Sequence, residues 1–188
     1  MVTNQGYISY GKALTVLLGL RDLIGEKKLN KALKTITDRH RVINKLEANT
    51  IELLEEIYKV TPAKQHILVD DWFKKVISYD IGIEESSYKE LKDGTYQITA
   101  KVKTKRFETL ESGESKQISI DEPIKIGVFT THPSRMKDDS SILYYASKQF
   151  NKEMTVIKIL VKEKPRYISI DPFGTRSDQG LRDNNFKL

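Results

Sequence analysis

Cysteine is absent from the 188 residues, which excludes disulfides and thiolate zinc sites. It leaves the compartment open, because a reduced cytosol and a disulfide-free secreted domain look alike on this point. No apolar run approaches the roughly 20 residues of a membrane-spanning helix. Met1–Gln5 lacks the charged-then-apolar layout of a secretion signal. Histidine is scarce. His40, His66 and His132 are never within four residues of one another. The chain therefore has no H-E-x-x-H, the arrangement in which two imidazoles one helical turn apart hold zinc beside a glutamate base. His40 ends a basic helix, His66 has no second ligand at helical spacing, and His132 precedes a proline in a loop, so each reads as a surface or structural histidine. Gly-rich phosphate loops, nucleophile elbows, EF-hand loops and internal repeats are missing as well.

What is present has the proportions of an ordinary globular chain, 31% charged and 38% hydrophobic, long enough to bury a core in one domain or two small ones. The net charge of +6 raises nucleic acid or an anionic membrane as partners. The lysines are interleaved with glutamates along every segment, and no aromatic-basic motif accompanies them, so no nucleic-acid partner is expected.

The stretch that organises the chain is Gly6–Glu26, GYISYGKALTVLLGLRDLIGE. Leu14, Val16, Leu17, Leu18, Leu20, Leu23 and Ile24 leave little room for a wet face, which predicts a buried helix. Ser9 can cap its start and Gly25 can end it in the left-handed conformation. Tyr10 and Lys12 are polar groups in its first turn. A second, amphipathic helix is expected at about Lys27–His40, with Leu29, Ala32, Leu33 and Ile36 on one face. Arg41–Ala48 breaks the period. Asn49 with Glu52 is a capping-box pattern opening a third helix, whose apolar stripe is Ile51, Leu54, Ile57 and Tyr58. Thr61-Pro62 separates it from a fourth helix running to about Ile77. There Ile67, Leu68, Trp72, Phe73 and Val76 face inward and Asp70 and Asp71 lie on the wetter side. Short connections favour antiparallel neighbours.

SYGKA, an apolar run and LIGE together resemble a signature of the aminopeptidase N-type zinc metallopeptidases, the gluzincins. There a Tyr-x-Lys-Gly segment opens a long helix that ends in a Leu-Gly-Glu-like turn. TIELLEEIYKVTP and ILVDDWFKKVISYD are similar to a bacterial subgroup in which the peptidase is fused to an ABC-transporter permease. The likeness spans roughly Tyr7 to Pro172. The resemblance implies that Tyr10 is catalytic and donates a hydrogen bond to the oxyanion, and that Lys12 matches the family lysine. Ala13 departs from the usual glycine. It also implies a β-sandwich after the helices, a zinc ion and its ligands in a longer parent protein, a peptide substrate there, and an extracytoplasmic place at a membrane reached only through that parent. The upstream catalytic region of the same protein would then be the chain's partner. The early entry into an apolar helix suits a fragment of such a protein.

From Tyr79 the period changes. Lys92-Asp93-Gly94 is a hairpin signal. After it Tyr96, Ile98, Ala100 and Val102 alternate with Gln97, Thr99, Lys101 and Lys103, the clearest strand in the chain. Gln117–Ile120, Ile124–Thr130, Ile142–Phe150, Met154–Val161 and Tyr167–Ile170 read as further strands. About seven short strands argue for an antiparallel sandwich. The fold class is therefore α+β: about four antiparallel helices in 1–78, an antiparallel immunoglobulin-like β-sandwich in 79–173, and a loosely held polar tail in 174–188. Trp72 and Phe73 are expected where the two parts meet.

Tyr10 is the one candidate catalytic residue. On spacing alone it reads as an amphipathic side chain at a helix start, ring inside and hydroxyl wet; the surrounding match assigns it the oxyanion role. Lys12 reads as a solvated or locally paired lysine. Lys101, Lys103 and Lys105 read as the exposed face of a strand that discourages edge pairing. Glu84 and Glu85, adjacent in a strand, are expected on opposite faces and so not in one site. No cofactor or metal site is expected within the chain itself. Two functions follow: the C-terminal part of a zinc aminopeptidase-like protein, inactive alone, or a non-catalytic helical and β-sandwich binding module.

Overall fold

A computed structural model of the chain describes residues 12–41 and 48–188. Among them, four α-helices precede eight strands: α1 (Ala13–Ile24), α2 (Glu26–Arg39), α3 (Thr50–Val60), α4 (His66–Lys74), then β1 (Val76–Glu90), β2 (Tyr96–Thr109), β3 (Ser115–Ile118), β4 (Glu122–Phe129), β5 (Ile142–Phe150), β6 (Met154–Val161), β7 (Tyr167–Ile170) and β8 (Asn185–Lys187). The fold is α+β, helices first and a β-sandwich after. The chain divides into two compact units between Lys75 and Val76.

In the helical unit the local signals act as read. Gly25 ends α1 with φ 88°, and its N–H donates to the Arg21 carbonyl at 2.9 Å. The Asn49 side chain accepts from the Glu52 N–H at 3.0 Å, and the Glu52 carboxylate accepts from the Asn49 N–H at 3.2 Å. These reciprocal bonds satisfy two of the donors that a helix start leaves open. Leu20, Ile24, Leu29, Ala32, Leu54, Ile57, Leu68, Val69 and Trp72 form the core of this unit. Trp72 is thus a core residue of the helical unit in its own right.

Four expectations fail here. The described part of α1 is not buried all round: only Gly19, Leu20 and Ile24 are buried, and Leu14 is 60% exposed. A helix can turn only one stripe toward a core built by its neighbours, however apolar its other sides are. Ile51 and Ile67, expected inside, are 71% and 75% exposed. Asp71, expected on the wet side, is buried, with Lys75 Nζ 3.0 Å from its carboxylate. The reason is phase. A 3-10 turn at Ala63–Gln65 precedes α4, and α4 ends at Lys74, so its inward stripe is Leu68, Val69 and Trp72. Val76 and Ile77, assigned to this helix by period, instead open β1.

The second unit is two four-stranded antiparallel sheets. In one, β2 pairs with β1 on one side and with β6 and β3 on the other; in the second the order is β5-β4-β7-β8. Alternation on β2 holds as read, with Ile98, Ala100 and Val102 buried. They meet Tyr79, Ile81, Ile157 and Ile159 of their own sheet and Ile124, Ile126, Val128, Ile168 and Ile170 of the other in one core. The same parity continues inward through Thr104 and Arg106, both buried. Since β2 is interior to its sheet, its lysines guard no edge, which corrects that expectation. On β4, the Phe129 ring lies over Gly127: a Cβ there would sit 2.3 Å from a ring carbon.

The tail from Gly174 is not loosely held. The Tyr79 N–H donates to the Ser177 carbonyl at 2.9 Å, the Gln179 N–H returns to Tyr79 at 2.9 Å, and the Ile83 N–H donates to Asp183 at 2.8 Å. The segment thereby covers the outer edge of β1, then returns as β8 to pair with β7. Covering an edge in this way removes a template for unwanted strand pairing.

Candidate functional site

Tyr10, the candidate catalytic residue, and Ser9, its candidate cap, lie outside the described residues. Lys12 is the first described residue. Its Nζ donates to the Lys75 carbonyl at 2.8 Å. Beside it the helical unit has an apolar opening of about 340 Å³, lined by Lys12, Ala13, Val16, Leu17, Thr50, Leu53, Trp72 and Phe73. Partial burial of the Lys12 amine pushes its pKa below the ordinary lysine value. Lys12 is therefore a locally paired lysine, as read, but in a less polar setting than a solvated one.

The histidines are each occupied locally. His40 Nε2 lies 3.2 Å from Glu52 Oε2. His66 Nε2 is 3.0 Å from the Thr61 carbonyl, and its ring lies tilted against Tyr58 with centroids 4.7 Å apart. His132 Nδ1 accepts from the Ser134 N–H at 3.2 Å, with its ring edge-on to Tyr167. Among the described residues no three His, Cys, Asp or Glu side chains are grouped to hold a metal.

Glu84 and Glu85 correct the alternation argument. A register shift between Ile83 and Glu85 breaks the period of two in β1. Lys101 Nζ then reaches both carboxylates, at 3.8 Å and 3.6 Å. A bulge places an extra residue opposite one partner residue, so adjacent side chains can converge. Lys103 is likewise engaged, 2.6 Å from Asp80 and 3.3 Å from Asp183. Both groups are ion pairs on the sheet's outer face.

A fully buried carboxylate was not foreseen. Glu122 is fully buried. Arg176 Nε donates to its Oε2 at 3.0 Å, Arg176 Nη2 donates to the Pro123 carbonyl at 2.8 Å, and Nη1 donates to Thr175 Oγ1 at 3.0 Å. Arg106 Nε approaches the other Glu122 oxygen at 3.6 Å. Asp171, at φ 43°, accepts from the N–H of Thr175 and of Arg176, both at 2.9 Å. A buried carboxylate must be paired, and here the pairing ties the tail to β4. The inward parity of Arg106 on β2 was the one sequence signal for this cluster; Arg176 sits in a segment without period.

Asp178 gives a pH prediction. Burial raises its carboxyl above the ordinary aspartate range, opposed by the Gly180 N–H, the Asn184 amide and the Ile81 N–H, with Asp183 adding repulsion. A folded pKa above the unfolded one means that the folded chain binds more protons between the two values, so this group's contribution falls as pH rises through that window. Asp178→Asn is expected to remove this fall and to raise stability at pH 7 by about 0.5 kcal/mol, a figure reduced for the solvent screening of a half-exposed group. Denaturant titrations of both proteins at pH 4 and pH 7 test this; equal differences at the two pH values would refute it.

Compared with known proteins, the chain matches no protein-family model and no curated protein.

Proposed function

We propose that this chain is the C-terminal part of a zinc aminopeptidase-like protein, carrying the oxyanion-stabilising Tyr10 but not the zinc-binding H-E-x-x-H, and inactive alone. The SYGKA and LIGE resemblance supports the reading. The structural observation that supports it is the exposure of large apolar residues on the helical unit. Leu14, Ile51 and Ile67 are 60%, 71% and 75% exposed. A helical segment that packs against another part of its protein presents such surface. Under this reading the upstream catalytic region is the partner, zinc and its ligands belong to that region, the substrate is a peptide, and the membrane is reached only through the parent, on the extracytoplasmic side.

The role of Tyr10 follows from its chemistry. Attack on a peptide carbonyl builds negative charge on the oxygen, and a phenol aimed at that position stabilises the transition state more than the substrate. Tyr10→Phe removes only the hydroxyl. In the full-length protein it is expected to lower kcat by about 10²–10³, by analogy with loss of one oxyanion donor, with little change in KM. Release of a chromogenic amino-acid amide measures both. The sequence encoded upstream of Met1 is the prior check: without an H-E-x-x-H there, the chain is a binding module instead. Steady hydrolysis by the isolated chain, or a Tyr10→Phe protein of normal kcat, would also overturn the reading.

A further inference from the structure

The opening beside Lys12 combines three features that ligand sites share. Its volume of about 340 Å³ falls within the roughly 300–1,000 Å³ of small-molecule pockets, which are mostly apolar with a few placed polar groups. Its lining is aliphatic and aromatic, from Val16, Leu17, Leu53, Trp72 and Phe73. Its one charged group is the Lys12 ammonium, whose bond to the Lys75 carbonyl uses one of three protons and leaves the positive charge without a carboxylate partner among the described residues.

We propose that this opening binds a small apolar carboxylate, an acyl chain or aromatic acid whose tail lies against Leu17, Leu53 and Trp72 and whose carboxylate pairs with Lys12. The inference stands apart from the peptidase reading. A neutral ligand of the same shape leaves a partly buried ammonium uncompensated. A dianionic phosphate brings one charge more than a single cation offsets, and a larger desolvation cost with it. A monoanion matches in charge, and the ammonium's partial burial strengthens the pair relative to one in open water. Carboxylate binding should also draw the lowered Lys12 pKa back upward, so affinity weakens as pH rises toward the range where the free amine loses its proton.

Trp72 is the only tryptophan in the chain and lines the opening, so its fluorescence reports on occupancy directly. Octanoate is the probe and octanamide the neutral control. Octanoate is expected to give a saturable change in emission and to bind about tenfold tighter than octanamide. Lys12→Met should abolish that preference, and Lys12→Arg should restore it. Leu53→Asp should weaken both ligands. A far-UV circular dichroism spectrum matching the parent's qualifies each variant. Absence of a saturable change with octanoate, equal binding of the two probes, or a preference that survives in Lys12→Met would overturn the proposal.

Discussion

Arg176→Met is expected to destabilise the β-sandwich unit by about 3–5 kcal/mol, the usual cost of removing one partner of a buried ion pair. Arg176 makes three kinds of bond at once: to Glu122, to the Pro123 carbonyl and to Thr175. Methionine fills much of the same volume, so the loss is electrostatic and not a cavity. What remains is a fully buried Glu122 with Arg106 Nε 3.6 Å from its Oε1, a carboxylate that has lost one of its two guanidinium neighbours. The double variant Glu122→Gln/Arg176→Met removes the stranded charge and should recover a large part of the loss, because replacing both members of a buried pair is often close to neutral. Chemical denaturation of the wild type, both single variants and the double variant closes the cycle. A single-variant cost below about 1 kcal/mol, or no recovery in the double variant, would show that the tail is held by its backbone bonds alone.

Trp72→Ala should cost about 3–5 kcal/mol in the helical unit, as large aromatic truncations in cores do. Trp72 is buried among Leu20, Ile57, Leu68 and Val69. Because the substitution removes the fluorophore, the helical signal in circular dichroism is the observable. A helical transition shifted by less than about 1 kcal/mol would mean that the neighbours collapse into the vacated space or that the indole does little packing.

Several elements were legible residue by residue because their determinants are local. Gly25 can take φ 88° without strain, so α1 stops there. Asn49 and Glu52 satisfy each other's backbone within one turn. Gly94, at φ 79°, closes the hairpin between β1 and β2, and the alternation from Ile98 to Val102 sorts inside from outside. The candidate site was legible in smaller part. Lys12 could be named from its place beside Tyr10, but its carbonyl partner lies 63 positions away. The opening it lines is assembled from α1, the start of α3 and the end of α4.

The sequence by itself determined the helix stop at Gly25, the capped helix start at Asn49, the hairpin at Gly94 and the change from a helical to a strand period, since capping, turn chemistry and alternation act over a few residues. Only the tertiary structure decided which apolar residues stay outside, that a bulge gathers Glu84 and Glu85 on Lys101, and that Arg176 crosses 54 positions to meet Glu122. Each of these depends on what a distant segment brings alongside. A charged residue in a patternless tail carries no local mark of the buried carboxylate that it neutralises.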